Sequence, residues 1–400
     1  MAETLFVLGN GFDLAHGLPT TYRDFFYFVE AIRLQKPPSS PLNKIPILKE
    51  TLRPEVLNYL FNVFTSGDVP DYINAIRTAL HLETPSQVNI WHSYFRKKIK
   101  DGHGLTTWID FEKEIYLLFR DNSETFSPEN FSSSVFSRMI HRNMDLLSFR
   151  RYSDKMFNLS EKMKDHVNVL LREEYLNESI LFLYQELRRY TFCLELYLRF
   201  FVTDICLKNS KLNSTIQKMF NPDSPTSSKP FILSFNYTET YTHKDFCYRS
   251  DARSQHIHGA VRKRATLEQA IKSQDFLSSP LVLGFHCEET PSETTASDVQ
   301  FLWFEKFFQR MLHKTGNGVF SWLKEQSAGT INTVVYGHSL DKTDADLIQI
   351  IFDKSESVTV YHLETSLPQL ISNLVTIFGR DVVNEYYQEG KLVFTQIPDK

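Results

Sequence analysis

The sequence has no glycine between Gly104 and Gly259, no C-x-x-C pair, no excess of basic charge and no apolar run of membrane-spanning length. Each absence excludes something. A stretch this long without the residue that most readily turns the backbone reads as helix. Four scattered cysteines, Cys193, Cys206, Cys247 and Cys287, argue against a zinc ribbon and a disulfide framework, and read as buried thiols. With 44 Lys and Arg against 48 Asp and Glu, the chain has no general attraction for nucleic acid. Arg96-Lys97-Lys98 and Arg262-Lys263-Arg264 form local basic runs that read as solvated surface, so nucleic acid is not expected as a partner. A membrane is not expected either. The start Met1-Ala2-Glu3-Thr4 is acidic and the apolar run after it stops at Gly9, unlike a secretory signal, so the expected location is cytoplasmic.

What is present begins with Leu5-Phe6-Val7-Leu8, a short apolar run that ends in Gly9-Asn10-Gly11-Phe12-Asp13. A continuous apolar run is the pattern of a buried parallel strand, and a glycine turn at its carboxyl end lets backbone N–H groups approach a phosphate. Position 14 is leucine, so the spacing is not the G-x-G-x-x-G dinucleotide fingerprint. At 400 residues the chain exceeds the usual size of one core. Residues 1–25 and 226–400 read as an α/β core, and 26–225 as a mainly helical insertion. Within that insertion Leu183, Leu187, Leu194 and Leu198 repeat with a period near 3.6, and Phe192, Tyr197, Phe200 and Phe201 read as its core. Trp108 to Ile115 opens another helix, with Thr106 or Thr107 as cap and its acidic residues favoured by the helix dipole. Pro37–Pro41 reads as a loop and Asn221–Lys229 as a linker.

Beyond the linker, strand and helix alternate. Phe231–Phe235 ends at Asn236-Tyr237-Thr238, Pro280–Leu283 ends at Gly284-Phe285-His286, and Ile331–Tyr336 ends at Gly337-His338-Ser339-Leu340. Asp344 or Thr343 then caps a helix through Ile351, and Ser357–Tyr361 completes a strand–helix–strand unit. The expected fold is α/β, a Rossmann-like parallel sheet, with Gly9, Asn236 and Gly337 meeting at the carboxyl edge where such sheets bind ligands. His256 and His258, at i and i+2, would share a face if extended, as a metal site begins; further ligands would have to come from Asp13, His286 or His338. No second closely spaced pair supports that, and no metal is expected.

The opening Leu8–Tyr22, Trp-x-Asp-Phe-Glu at Trp108 to Glu112, Ser-Phe-Asn-Tyr-Thr at Ser234 to Thr238, His-x-His-Gly at His256 to Gly259 and Gly-His-Ser-Leu at Gly337 to Leu340 together resemble the AbiH-type phage abortive infection proteins. More distantly the chain is similar to sirtuins and sirtuin-like defence NADases. Gly9 and Gly11, with Asn10 and Phe12, resemble the sirtuin turn under the pyrophosphate, and Gly17-Leu18-Pro19 with Tyr22, Arg23 and Phe25 resembles the segment beside the nicotinamide. Asn236 corresponds to the asparagine of the Gln-Asn-Ile-Asp segment, His258 to the histidine of its His-Gly pair, and Gly337-His338-Ser339 to the turn near the adenosine. Asp13, Thr238 and the missing zinc ribbon depart from that pattern.

The resemblance implies an anti-phage protein that binds NAD or a related nucleotide and hydrolyses it to nicotinamide and ADP-ribose. Catalytic roles fall to Asn236, His258 and Asp13; Gly9, Asn10, Gly11, Phe12, Pro19, Tyr22, Arg23, Gly284, Gly337, His338 and Ser339 would bind the cofactor. An imidazole near pKa 6.5 can take a proton at neutral pH. Asn236 and Asp13 could instead be helix caps. A branched side chain at Gly11 would fill the space of a pyrophosphate. Two other functions stay open: a nucleotide sensor whose helical lobe binds a partner, and a metal-dependent hydrolase or nuclease using His-x-His. A phage-derived trigger and self-association are compatible with each.

Overall fold

A computed structural model of the chain describes residues 3–34, 52–83, 88–101, 108–120, 173–208, 216, 230–242, 253–285 and 302–397. Pro37–Pro41, Thr106, Thr107, Asn221–Lys229, Cys247, His286 and Cys287 lie outside them.

In chain order the elements are β1 (Glu3–Leu8), α1 (Asn10–Ala15), α2 (Tyr22–Leu34), α3 (Pro54–Ser66), α4 (Asp71–Ala79), α5 (Ile90–Lys100), α6 (Trp108–Arg120) and α7 (Glu173–Leu196). A π-helical stretch, Tyr197–Leu207, continues α7. Then come β2 (Phe231–Ser234), β3 (Arg253–His256), α8 (Arg264–Ser273), α9 (Lys306–His313), α10 (Asn317–Glu325), β4 (Ile331–Tyr336), α11 (Ala345–Lys354), β5 (Ser355–His362), α12 (Leu367–Phe378), α13 (Arg380–Gln388) and β6 (Leu392–Gln396). All six strands are parallel, in the order β3-β2-β1-β4-β5-β6. This is the order of dinucleotide-binding sheets, in which the chain winds outward in both directions from the first strand and leaves a crevice at the reversal.

β1 is central. Leu5 pairs with Phe231 on one side and Thr333 on the other, and Leu5 to Leu8 are buried on both faces, which is why the run carries no polar alternation. Among the described residues from 26 to 225 there are helices and turns but no strand. Their core is aromatic: Tyr22, Phe95, Phe111 and Tyr190 stack within one buried cluster, the Tyr22 and Phe111 rings 4.5 Å apart and the Tyr22 and Tyr190 hydroxyls 2.9 Å apart. Phe192, Tyr197, Phe200 and Phe201 are buried there too. Burial also pushes the Cys193 and Cys206 thiols up, Cys206 to about 12.

The expected strand at Pro280–Leu283 is outside the sheet. The Gln309 side chain binds both the N–H and the C=O of Leu283, at 3.0 and 2.9 Å, and the Val282 carbonyl takes the Tyr237 hydroxyl at 2.7 Å. Side chains satisfy here the backbone groups that a ladder would have used. The basic runs are paired with carboxylates: Lys98 with Glu114 at 2.9 Å, Arg262 with buried Glu195 at 2.9 Å and Arg264 with Glu268 at 2.8 Å.

The turns after β1 and β4 touch backbone to backbone. Gly11 donates its N–H to the Gly337 carbonyl at 2.8 Å, and a Cβ on Gly11 would stand 2.6 Å from the Gly337 Cα. Gly337 itself has φ +67°, where an L side chain is strained. Gly11→Ala should therefore destabilise the protein by about 1–3 kcal/mol through forced separation of the two turns. Gly17→Ala, at φ +75° with nothing within 4 Å of its Cβ, should lose only the left-handed backbone preference, about 1–2 kcal/mol. Thermal melts of both variants check this; an unaltered midpoint in Gly11→Ala would contradict the contact.

Candidate functional site

The carboxyl ends of β1, β2, β3 and β4 open onto one cleft of ≈ 240 Å³, lined by Gly9, Asn10 and Asp13 after β1, Phe235 to Thr238 after β2, His258 after β3, and Gly337 to Ser339 after β4. Leu14, Thr20, Thr343, Glu112 of α6, Leu198 of the π-helical stretch, Lys306 of α9 and Asp344, just before α11, complete the wall. Gly9, Asn236 and Gly337 thus meet although hundreds of positions apart, because parallel strands share a carboxyl edge.

Of the residues the sequence singled out, Asp13, Asn236, His258, Gly9, Asn10, Gly337, His338 and Ser339 line the cleft; Gly11, Phe12, Pro19, Tyr22, Arg23 and Gly284 do not. Gly11 packs on Gly337, and Gly284 on the Phe304 carbonyl. Phe12 is buried edge-on to Tyr336, 6.0 Å between centroids. The Pro19 carbonyl accepts the Tyr197 hydroxyl at 2.7 Å, Tyr22 belongs to the helical core, and exposed Arg23 lies 5.8 Å from the Tyr27 ring. The phosphate cradle expected at the glycine turn is also differently employed. The N–H groups of Gly9, Gly11 and Phe12 go to the carbonyls of Tyr336, Gly337 and Gly9, at 3.0, 2.8 and 2.9 Å. Asn10 is held through its Oδ1, which accepts the Thr20 hydroxyl at 2.7 Å.

Asp13 is buried within α1 and is not a cap. Its Oδ2 accepts the Thr238 hydroxyl, while Oδ1 has no hydrogen-bond partner. Burial raises its pKa to about 6, against smaller lowering effects of Thr238, Thr240 and Asn236. Asn236 stands four residues before the next described helical turn, Thr240–Thr242, and so is not at its cap position; its carbonyl accepts from His256 Nδ1 at 2.6 Å. The other His256 nitrogen meets the Tyr241 hydroxyl at 3.0 Å. β3 ends at His256 and the chain turns, so His256 and His258 do not share an extended face. No group of three His, Cys, Asp or Glu that could hold a metal occurs among the described residues.

His258 stands edge-on to Phe235 with its Nε2 3.2 Å from Asp344 Oδ1, and its buried Nδ1 has no hydrogen-bond partner. Burial lowers its pKa to about 4, the Asp344 carboxylate opposing, so the ring is far less basic than the free imidazole assumed from sequence. Lys306 Nζ lies 2.8 Å from Glu112 Oε2 and 3.3 Å from Asp344 Oδ1, all three side chains buried. Burial raises Glu112 to about 7 against the pull of Lys306. Burial works to raise Asp344 as well, but Lys306 and His258 hold it well below the usual carboxylate range.

Glu112, Lys306 and Asp344 are the site residues that the sequence reading missed. By sequence Glu112 suits the helix dipole and Asp344 a cap; Asp344 does stand at the N-cap position of α11, but its side chain makes no capping hydrogen bond, and Asp341 caps the short 3-10 turn Lys342–Asp344 before it, its Oδ1 accepting the Thr343 N–H at 3.0 Å. The signal for Lys306 was its setting, one lysine inside Trp303-Phe304-Glu305-Lys306-Phe307-Phe308.

A parallel sheet wound outward from its first strand, with a cleft at the reversal, defines an α/β protein of the Rossmann-like type. The family model of the bacteriophage abortive infection protein AbiH matches residues 5–362. The chain belongs to the AbiH family. No curated protein and no solved structure matches it.

Because the native state holds the Asp13 proton more tightly than an unfolded chain does, this group favours folding fully below pH 3.8, and the contribution disappears as pH rises through about 6. The melting temperature of Asp13→Asn relative to the parent protein should therefore climb between pH 4 and 7, by the equivalent of about 3 kcal/mol. A gap that stays constant with pH would show that Asp13 is not buried as a charge.

Proposed function

We propose that this protein binds NAD in the cleft and hydrolyses the bond between nicotinamide and ribose. The observation that carries the reading is that Asp13 and His258, each with a buried polar atom without a partner, Oδ1 and Nδ1, line the same cleft as Asn236. Such atoms are costly unless a ligand or water satisfies them. The strand order of dinucleotide-binding sheets and the similarity of Asn236, His258 and the Gly337 turn to sirtuin residues support NAD as that ligand. The cleft volume of ≈ 240 Å³ is below the roughly 300–1,000 Å³ of pockets for drug-sized ligands, which suits the nicotinamide riboside half.

In this reading the electron pair of the C1′–N bond leaves with nicotinamide, which neutralises its pyridinium. The ribosyl carbon passes through an oxocarbenium-like state that the Asp13 carboxylate stabilises. Asn236 orients a water whose oxygen bonds to C1′, and His258 takes its proton. The products are nicotinamide, ADP-ribose and a proton. Depletion of NAD in an infected cell would account for abortive infection, with a phage-derived trigger, self-association or the helical lobe as the means of control. The His-x-His metal reading loses ground because both His256 nitrogens are engaged within the protein.

Purified protein mixed with NAD should release nicotinamide and ADP-ribose, with no effect of chelators. His258→Ala and Asn236→Ala should each lower turnover by about 10²–10⁴-fold while NAD affinity stays nearly unchanged. Binding without cleavage, alone and in infected-cell extract, would leave the nucleotide sensor as the function.

The acid limb of turnover should fall near pH 6, set by Asp13, because His258 is already deprotonated above about 4. Rates measured from pH 4 to 8 test this. A limb near 4 would remove Asp13 from the mechanism.

A further inference from the structure

We propose that Asp344 is the positioning residue for His258: it holds the proton-bearing Nε2 of the ring and leaves Nδ1 as the nitrogen that accepts a proton from the cleft. A carboxylate only accepts hydrogen bonds, so the neutral ring 3.2 Å from Asp344 Oδ1 carries its hydrogen on Nε2. The lone pair then sits on Nδ1, the buried atom without a partner. His338 follows the same rule. Its Nδ1 accepts the Leu340 N–H at 2.9 Å, so its hydrogen also sits on Nε2, 3.6 Å from Asp344 Oδ2. The two rings thus present an N–H to the same carboxylate, His258 to Oδ1 at 3.2 Å and His338 toward Oδ2 at 3.6 Å, the second tautomer being set by Leu340.

The charge that makes this work is balanced around it. Lys306 bridges Asp344 and Glu112 at 3.3 and 2.8 Å, which keeps Asp344 ionised without leaving the ammonium unpaired. The groups facing His258 are Asp344, beside its helix start, His338 from the turn after β4, Lys306 and Arg310 from α9, Glu112 from α6 and Asp13 in the same cleft; Arg310 is itself paired with Asp346. When Nδ1 takes the proton of the attacking water, the ring becomes a cation that Asp344 stabilises and Lys306 opposes. That consequence for catalysis rests on the NAD-cleavage reading, whereas the tautomer does not.

The test uses the full chain with ¹⁵N-labelled histidine, the His258 signal being assigned from His258→Gln. At pH 7 the ring should report a proton on Nε2 and none on Nδ1. Asp344→Asn should move the His258 titration to lower pH and Lys306→Met should move it to higher pH, opposite shifts that a merely structural role would not produce. In turnover of NAD, Asp344→Asn should lower kcat by about 10²-fold with KM within about twofold, and Asp344→Glu should recover part of the loss. A proton on Nδ1, or shifts of the same sign in the two variants, overturns the proposal. If Asp344→Asn does not fold, Lys306→Met decides alone: an unmoved or lowered titration rejects the role. Absence of NAD cleavage under every condition would reject the NAD reading, while the titrations would still decide the role of Asp344.

Discussion

The close approach of two glycine turns is the constraint on which the rest of the site depends. β1 and β4 pair in register through Leu8 and Tyr336, so the turns that follow leave the sheet side by side. Gly11 and Gly337 allow their backbones to touch, and the N–H groups of Gly9 and Gly11 are consumed in holding them there. Polar character in the cleft is therefore supplied chiefly by side chains from other turns. The strand order of nucleotide-binding sheets is kept, yet the cleft is lined by the side chains of Asp13, Asn236, Thr238, His258 and Asp344, and the N–H groups of Gly9 and Gly11 are not free to meet a phosphate.

Those side chains reach the cleft from two differently packed regions. One face of the sheet and the helices α10 to α13 share one apolar cluster, whereas α2 to α7, the π-helical stretch and residues such as Leu267, Leu283 and Phe304 share another, rich in aromatic rings; Phe6, Leu8, Ile232 and Tyr336 on the sheet pack with Phe12 in a smaller third. Glu112 and Leu198 come from the second region and meet His258 and Asp344 from the first. A bridge of buried charge, Glu112 to Lys306 to Asp344, joins them. Buried ion pairs are weak evidence of stability, since desolvation opposes the attraction, so this one is better understood as fixing geometry.

How far the sequence could be read follows from the range of each interaction. β1 and β2 are legible because central, buried parallel strands are nearly apolar throughout, β4 and β5 from their β-branched and apolar residues, and the convergence of Gly9, Asn236 and Gly337 follows from sheet topology. β3 was not legible as a strand, because Arg253-Ser254-Gln255-His256 at the sheet edge lacks that signature; Pro280–Leu283 has it and yet stays outside the sheet, where Gln309 holds it. Asp13, Asn236 and His258 stood in motifs, but Lys306 stood in none. Glu112 stands in the Trp-x-Asp-Phe-Glu motif yet, like Asp344, resembles an ordinary helix-start acid, and contact with Lys306 is what gives both their place in the cleft. The basicity of His258 was misjudged for the same reason, since burial is not written in local sequence.

The central position of β1 has a consequence for how the protein comes into being. Its two neighbours, β2 and β4, begin at Phe231 and Ile331, so the first strand made waits for most of the chain before both its sides are paired. At about 5–20 residues per second, a ribosome leaves β1 unpaired and then half-paired for on the order of tens of seconds in all, while the helices between are completed. Until β4 has been made, the edge that gathers Asp13, Asn236, His258 and Asp344 does not exist. A nascent or prematurely ended chain therefore cannot present this cleft to the cell that is making it.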